Sequence, residues 1–294
     1  MAADTRLFDE KFIGKVSRLK LAISKKTALS YQGRRRSALK GSSAEFSDYR
    51  EYVPGDDIRR IDWNVYARLD RPFVREYMEE RESAVNIFLD MSMSMSVDDK
   101  RLLAKKLAGA LGLISLSNLD RLSFFVIYEG RVDNIRFAGG KNNIRRALDI
   151  IEGITPSGNA DIISAVKSVP YLPHGLSVLI SDFMDEKFLE QGDSLCKYLS
   201  YRGQEIVFLH VMSESELRPQ LSGSYIFTDM ENAYSPVRLT LDEKTFKSYE
   251  NELGVFLSGV RKIARNGNAK YFLLDTAVSF DQMIFYDLRS IYDV

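Results

Sequence analysis

The stretch that decides the fold is AVNIFLDMSMSM, residues 84–95. Its first six residues are mostly apolar, which is typical of a β-strand that is buried on both faces. Asp90 ends this run, and Ser92 and Ser94 follow at alternate positions. Carboxylate and hydroxyl oxygens are the ligands that Mg²⁺ and Mn²⁺ prefer. Open α/β sheets bind ligands just beyond the carboxyl ends of their strands, so the stretch predicts a metal site.

The same pattern has a structural alternative, an Asp-Ser turn whose side chains cap the next helix. A second strand-like run, LSVLISDF at residues 176–183, also ends in polar residues, Ser181 and Asp182. In a doubly wound sheet the two strands can be neighbours, which would place Asp182 beside Ser92 and Ser94. This agreement favours the metal site over the cap.

From residue 84 onward, strand-like and helix-like patterns alternate, which predicts an α/β domain with a mostly parallel sheet and helices on both faces. The expected helices cover residues 100–117, 142–151, 186–201 and 242–264, with another beginning near residue 161. The other expected strands cover residues 122–130, 132–137, 205–211 and 269–274, and a hairpin-like insertion lies at roughly residues 224–241.

Two further segments precede this domain of residues 83–294. Apolar residues at three- and four-residue spacing predict one amphipathic helix over residues 6–24, within an N-terminal segment of residues 1–30. Residues 31–82 interleave aromatic side chains with charges of both signs and contain little aliphatic core. We therefore expect this aromatic and arginine-rich segment to pack on the main domain, although it is also compatible with a solvated, salt-bridged connector.

The arginine-rich segment also contains candidates for docking a partner. Arginine forms bidentate pairs with carboxylates and stacks on aromatic rings. The candidates are Arg59, Asp62, Trp63 and Arg68.

Composition excludes several classes of protein. The chain has 41 Lys and Arg against 41 Asp and Glu, so no overall charge attracts it to nucleic acid or membrane. The only cysteine, Cys196, is compatible with a reducing compartment. The first residues have no apolar core typical of a signal peptide, and the longest apolar stretch is too short to span a bilayer. We expect a cytoplasmic protein without a membrane span.

Residues 45–68, EFSDYREYVPGDDIRRIDWNVYAR, form the most distinctive string in the chain. Together with Leu89-Asp90, Ser92, Ser94 and the run ISDF at residues 180–183, this string resembles the von Willebrand factor A-like proteins of domain-of-unknown-function family 58. The resemblance extends over nearly the whole chain from about residue 31. It implies a von Willebrand factor A-like, doubly wound fold.

The resemblance also implies a metal-ion-dependent adhesion site for Mg²⁺ or Mn²⁺. Asp90, Ser92 and Ser94 match the first loop of that site, and Asp182 matches the third. In the second loop Ala160 stands where the family pattern has threonine. Neighbouring Asn159 or Asp161 are possible oxygen ligands in its place. Proteins of this kind commonly accompany MoxR-type AAA+ ATPases, so the implied partners are such an ATPase or other von Willebrand A-like proteins.

We therefore expect a non-enzymatic protein-interaction module, an adaptor for a MoxR-type ATPase. One alternative is a Mg²⁺-dependent phosphoryl hydrolase with Asp90 as ligand or nucleophile, but no lysine or histidine lies at a spacing that suits general acid–base catalysis. The other alternative is a structural module whose site is degenerate and free of metal. Addition of metal distinguishes the three hypotheses. The interaction module would show metal-dependent binding without turnover, the hydrolase would show turnover, and the structural module would show neither.

Overall fold

The structure, a computed structural model, describes residues 7–21, 45–78, 83–220, 223–227 and 237–293. The chain divides into two compact units. The larger unit comprises Met1–Tyr31 and Ser83–Val294, and the smaller unit comprises Gln32–Glu82.

Helices and strands are numbered here in chain order over the described residues. The helices are α1 (Glu10–Val16), α2 (Trp63–Leu69), α3 (Lys100–Ser117), α4 (Ile144–Gly153), α5 (Ile162–Ser168), α6 (Glu186–Tyr201), α7 (Glu214–Leu217), α8 (Glu243–Asn266) and α9 (Phe280–Gln282). The strands are β1 (Lys20–Leu21), β2 (Glu45–Glu51), β3 (Phe73–Met78), β4 (Ala84–Asp90), β5 (Arg121–Tyr128), β6 (Arg131–Phe137), β7 (Gly175–Ser181), β8 (Gln204–Met212), β9 (Gly223–Phe227), β10 (Val237–Leu241), β11 (Lys270–Asp275) and β12 (Tyr292–Asp293).

The larger unit is built on a six-stranded sheet with the order β11-β8-β7-β4-β5-β6. The strands pair in parallel except β6, which forms an antiparallel hairpin with β5. The chain runs from β4 to one side and then returns to add β7 on the other side. The order therefore changes direction between β4 and β7, the place where open α/β sheets form their ligand crevice. The prediction of a mostly parallel sheet is confirmed.

Helices cover both faces of this sheet because its four central strands, β8, β7, β4 and β5, bury side chains on both sides. Val85, Ile87 and Leu89 face one core, which also contains the apolar residues of α1, α3, α4 and the C-terminal segment. Phe88 faces the second core, which contains the apolar residues of α5, α6 and α8. This arrangement is compatible with a doubly wound fold.

The prediction of one N-terminal helix over residues 6–24 is wrong in its extent, because α1 ends at Val16. Asp9 caps its start by accepting a hydrogen bond from the Phe12 N–H at 2.7 Å. After a turn the chain becomes β1, in which Leu21 pairs with Tyr292 of β12 and is buried. A helix this short has little stability of its own, so the burial of Leu21 in a strand decides where it ends. Residues 22–24 of the prediction lie outside the described residues.

Over its described residues, 45–78, the smaller unit contains a hairpin and two short helices. Strands β2 and β3 pair antiparallel with a bulge near Phe46 and Asp48. Between them lie a 3₁₀-helix at Ile58–Arg60 and the helix α2.

The hairpin-like insertion expected near residues 224–241 is confirmed as the antiparallel pair of β9 and β10. Within the residues that the structure describes, no helix has both the length and the apolar character needed to cross a bilayer.

Candidate functional site

The loop after β4 places the predicted first set of oxygens at the change of strand order. Asp90 is the last residue of β4 and is only 4% exposed. Its Oδ1 accepts a hydrogen bond from the Ser92 N–H at 2.9 Å. Its Oδ2 accepts a hydrogen bond from the Ser181 hydroxyl at 2.6 Å. The carboxylate is therefore held between the ends of β4 and β7.

Two serine hydroxyls lie next to each other in this loop. The Oγ atoms of Ser92 and Ser94 are 3.0 Å apart, Ser92 is buried and Ser94 is half-buried. Octahedral Mg²⁺ binds oxygens at about 2.1 Å, so two adjacent ligands of one ion lie about 3.0 Å apart. The spacing of the two hydroxyls fits one edge of such an octahedron.

The pKa of Asp90 is raised because its carboxylate is buried and lies near a second negative charge. Burial, together with the nearby negative charge of Asp182, raises the pKa of Asp90 to about 6. Hydrogen bonds from Ser181 and Ser92 act in the opposite direction and do not fully compensate. A cation at this point would stabilise the ionised carboxylate. The spacing of the two hydroxyls and the negative charge beside them are thus compatible with a small divalent cation.

Asp182, the predicted ligand of the third loop, has a different environment. It follows the last residue of β7 and is only 2% exposed. Its Oδ1 accepts a hydrogen bond from the Met184 N–H at 3.1 Å. Its Oδ2 accepts one from the Lys100 ammonium at 2.8 Å. Both oxygens of this carboxylate thus have partners within the chain.

Lys100 lies at the centre of a buried ionic network. Its side chain has no exposed surface, and its Nζ also donates to Glu216 Oε1 at 2.6 Å. The other oxygen of Glu216 accepts a hydrogen bond from the Ser213 N–H at 2.8 Å. Burial by itself would lower the pKa of Lys100, but the carboxylates of Asp182 and Glu216 outweigh burial and raise it. The ammonium is therefore charged.

The sequence analysis missed Lys100 and Glu216. One local signal pointed to the lysine, which is the first residue of α3. A cation at the amino end of a helix opposes the helix dipole, so a lysine there needs a partner elsewhere. No comparable signal identifies Glu216, because in sequence it is simply the N3 residue of a capping box that Ser213 begins.

The second loop runs beside the first, as the site requires. The Ser157 N–H donates to the Met91 carbonyl at 2.9 Å, and the Met93 N–H donates to the Gly158 carbonyl at 2.8 Å. Gly158 has a φ of 58°, and a side chain there would meet the backbone of Glu129. Glycine therefore allows the second loop to lie against the turn that follows β5.

The candidate ligands of the second loop have other environments. Ala160 is half-buried and packs against the second core, so its side chain provides no oxygen. Asp161 caps α5, accepting from the Ser164 N–H at 2.8 Å, and its other oxygen accepts from the Lys187 ammonium at 3.0 Å. Asn159 is exposed. In the structure, then, Asp161 serves as a helix cap, whereas the side chain of Asn159 lies at the surface.

Among the residues that the structure describes, no group of three or more His, Cys, Asp and Glu side chains is arranged to hold a metal ion. The candidate site therefore depends on hydroxyl ligands in addition to Asp90 and Asp182.

The docking candidates of the smaller unit divide into a buried and an exposed set. Asp62 is 4% exposed and caps α2, where its Oδ1 accepts from the Asn64 N–H at 2.9 Å. Trp63 is 63% exposed and meets Tyr66 edge to face. Arg59 and Arg68 are exposed as well. Asp62 is thus a structural cap, whereas Trp63 and the two arginines are available on the surface of this unit.

Comparison with protein families finds a match over residues 48–253 to the family described as "Protein of unknown function DUF58". An uncharacterised protein of Mycobacterium tuberculosis (strain ATCC 25618 / H37Rv) is 28% identical over 185 residues, which are 60% of this chain and 58% of that protein. An uncharacterised protein of Mycobacterium bovis matches to the same extent. The chain spans a little under three fifths of the length of these curated relatives.

Among solved structures, this chain aligns with a pilus adhesin, SpaC from Lactobacillus rhamnosus GG in an open conformation. The alignment covers 73% of this chain and 30% of the adhesin chain. The TM-score is 0.40 and the sequence identity is 10%.

Proposed function

This chain belongs to the DUF58 family, whose function is unknown, and we propose that it is a non-enzymatic protein-interaction module that binds its partner through a divalent cation. In this proposal the larger unit is a von Willebrand factor A-like domain. Its binding surface is the edge of the sheet where β4 and β7 end.

One observation carries the proposal, the set of oxygens in the loop after β4. The carboxylate of Asp90 and the hydroxyls of Ser92 and Ser94 would hold Mg²⁺ or Mn²⁺. When bound, the ion would accept a carboxylate of the partner as a further ligand, since Mg²⁺ takes six oxygens and the loop supplies fewer. Ser94 is half-buried, so the loop is reachable from solvent.

The surroundings of Asp90 favour binding over hydrolysis. A carboxylate that attacks a phosphoryl group must reach it, yet Asp90 is almost fully buried and both of its oxygens accept hydrogen bonds. His210 lies in β8, which β7 separates from β4. Burial lowers the pKa of His210 to about 4, and its Nδ1 is within hydrogen-bond distance of the Tyr271 hydroxyl. Neither group is placed to serve as the base of a hydrolase.

The partner in this proposal is a MoxR-type AAA+ ATPase, for which the protein would act as an adaptor. This part rests on the sequence resemblance, whereas the binding edge rests on the geometry. A cytoplasmic location is part of the same proposal, and the buried, unpaired thiol of Cys196 is compatible with it.

Titration calorimetry tests the cation. Mg²⁺ and Mn²⁺ are titrated into the chelator-treated protein and into Asp90→Asn, which keeps the shape of the side chain and removes its charge. Asp275→Asn is the matched control, because Asp275 ends the edge strand β11 of the same sheet. We expect saturable binding that Asp90→Asn abolishes and Asp275→Asn retains. Equal binding by all three proteins would show that the ion binds elsewhere.

A pull-down tests the partner. A MoxR-type ATPase from the same genome is immobilised and the protein is applied with Mg²⁺ or with chelator. The proposal predicts retention with Mg²⁺ and loss with chelator or with Asp90→Asn. Retention that depends on neither would contradict a metal-dependent interaction, and steady ATP-independent release of phosphate from model phosphoesters would favour the hydrolase instead.

A further inference from the structure

A lysine ammonium is enclosed beside the candidate cation site. Lys100 has no exposed surface, and its Nζ lies 2.8 Å from Asp182 Oδ2 and 2.6 Å from Glu216 Oε1. These contacts join the start of α3 to the end of β7 and to α7. The resemblance assigns Asp182 to the metal, but in this chain the carboxylate already has a cation.

A second buried lysine on the same helix shows that this arrangement is particular to Lys100. Lys105 is also buried, but its ammonium donates to a backbone carbonyl, that of Glu152, at 2.8 Å. Desolvation by burial lowers the pKa of Lys105, consistent with its lack of a strong ion pair. Only Lys100 of the two brings its charge to the carboxyl end of the sheet.

We infer that Lys100 is a built-in cation that takes the place of a metal ion at Asp182 and weakens the binding of divalent cations at this edge. The ammonium donates a hydrogen bond to Asp182 Oδ2, the oxygen that a metal ion would otherwise bind. Its positive charge also repels a second cation nearby. Of the two aspartates, an ion at Ser92 and Ser94 is therefore left with Asp90, the carboxylate that is not paired with the lysine.

The charges around the lysine predict that its removal strengthens the binding of divalent cations. Asp90, Asp182 and Glu216 carry three negative charges against the single positive charge of Lys100. Replacement of the lysine by an uncharged side chain leaves Asp182 without its cation, next to Asp90 and the two serines. That set, two carboxylates and two hydroxyls, is a stronger ligand set for Mg²⁺ or Mn²⁺ than the native one.

This inference deepens the proposed function, since it concerns the same edge, but its test separates the two. Mn²⁺ is titrated by calorimetry into the chelator-treated full chain, into Lys100→Met and into Lys105→Met. Methionine keeps a straight side chain of similar length and removes the charge. We expect Lys100→Met to bind Mn²⁺ at least about tenfold more tightly than the native protein, the scale of the effect of groups around a metal site. Lys105→Met should bind as the native protein does.

The outcomes distinguish the inference from the proposed function. If the native protein binds Mn²⁺ through Asp90 and Lys100→Met binds no more tightly, the inference fails and the proposed function stands. If only Lys100→Met binds, the inference is supported and the native protein works without a metal. If neither protein binds, the inference is overturned together with the metal-dependent function.

A second variant guards against loss of folding. Lys100→Met leaves two buried carboxylates without a cation, so Lys100→Met/Glu216→Gln removes one of the charges and keeps the side-chain shape at residue 216. Thermal unfolding with and without Mn²⁺ provides a second measurement, because an ion that binds only the folded state raises the melting temperature. We expect Mn²⁺ to raise it more for the double variant than for the native protein. An equal shift would overturn the inference.

Discussion

The ends of β4 and β7 are neighbours in the sheet, and each carries a buried aspartate, yet the two carboxylates have different partners. Asp90 accepts hydrogen bonds from the Ser92 N–H and the Ser181 hydroxyl. Asp182 accepts hydrogen bonds from the Met184 N–H and the Lys100 ammonium. The difference arises outside the strands, because the first residue of α3 brings its cation to one strand end and not to the other.

This difference separates the two halves of the candidate site. At the end of β4 no cationic side chain of the described residues pairs with Asp90, so the proposed external ion would bind there. At the end of β7 the charge is compensated internally, so the same residue type contributes to stability. Two aspartates that a sequence motif treats alike therefore have different roles, and five variants with two controls test the distinction.

The largest expected effect is on stability, from Lys100→Met. Breaking a buried ion pair leaves its carboxylates uncompensated, which costs about 3–5 kcal/mol. The free energy of unfolding, measured by urea denaturation in chelator, should fall by about that amount. Lys105→Met should cost less, since it removes one hydrogen bond to a carbonyl. Equal losses in the two variants would contradict the special role of Lys100.

The two aspartates should differ when each is changed to asparagine. Asp182→Asn weakens a charged hydrogen bond to Lys100 and should cost about 2 kcal/mol. Asp90→Asn removes a charge that burial disfavours, so we expect a loss below about 1 kcal/mol in chelator. Urea denaturation of both proteins in the same buffer measures the difference. If Asp90→Asn were the more destabilising, the assignment of the two strand ends would be reversed.

Restoring an oxygen to the second loop should strengthen cation binding. Ala160→Thr adds a hydroxyl where the resemblance expects one, and about tenfold tighter Mn²⁺ binding corresponds to about 1.4 kcal/mol. Ala160→Val is the control, because valine has nearly the same shape without the hydroxyl. Calorimetry should show tighter binding for threonine only; a gain for both would indicate a packing effect.

The smallest effect on stability is expected from Ser94→Ala. Ser94 is half-buried, and its hydroxyl is within hydrogen-bond distance of the Ser92 hydroxyl. Its removal should change the free energy of unfolding by no more than about 0.5 kcal/mol while weakening Mn²⁺ binding. A stability loss with unchanged Mn²⁺ affinity would make Ser94 part of a helix cap, the structural alternative for this motif.

Much of the larger unit follows from local patterns. Helix α6 begins and ends where its apolar spacing predicts, at Glu186 and Tyr201, and α3 covers the predicted residues 100–117. The hairpin of β9 and β10 is also confirmed. These elements are long or bounded by turns, so their side-chain periodicity identifies them. The N-terminal helix was predicted too long because pairing with β12, a strand near the other end of the chain, decides where α1 ends.

By itself the sequence determined the six strands of the central sheet, most helices, and the presence of Asp90, Ser92, Ser94 and Asp182 at strand ends, because each depends on residues close together in the chain. Only the tertiary structure decided which cation meets which carboxylate. Lys100 lies 82 residues from Asp182 and 116 residues from Glu216. Contacts over such distances depend on the order and register of strands and on where a helix begins over the sheet, and local periodicity contains no information about them.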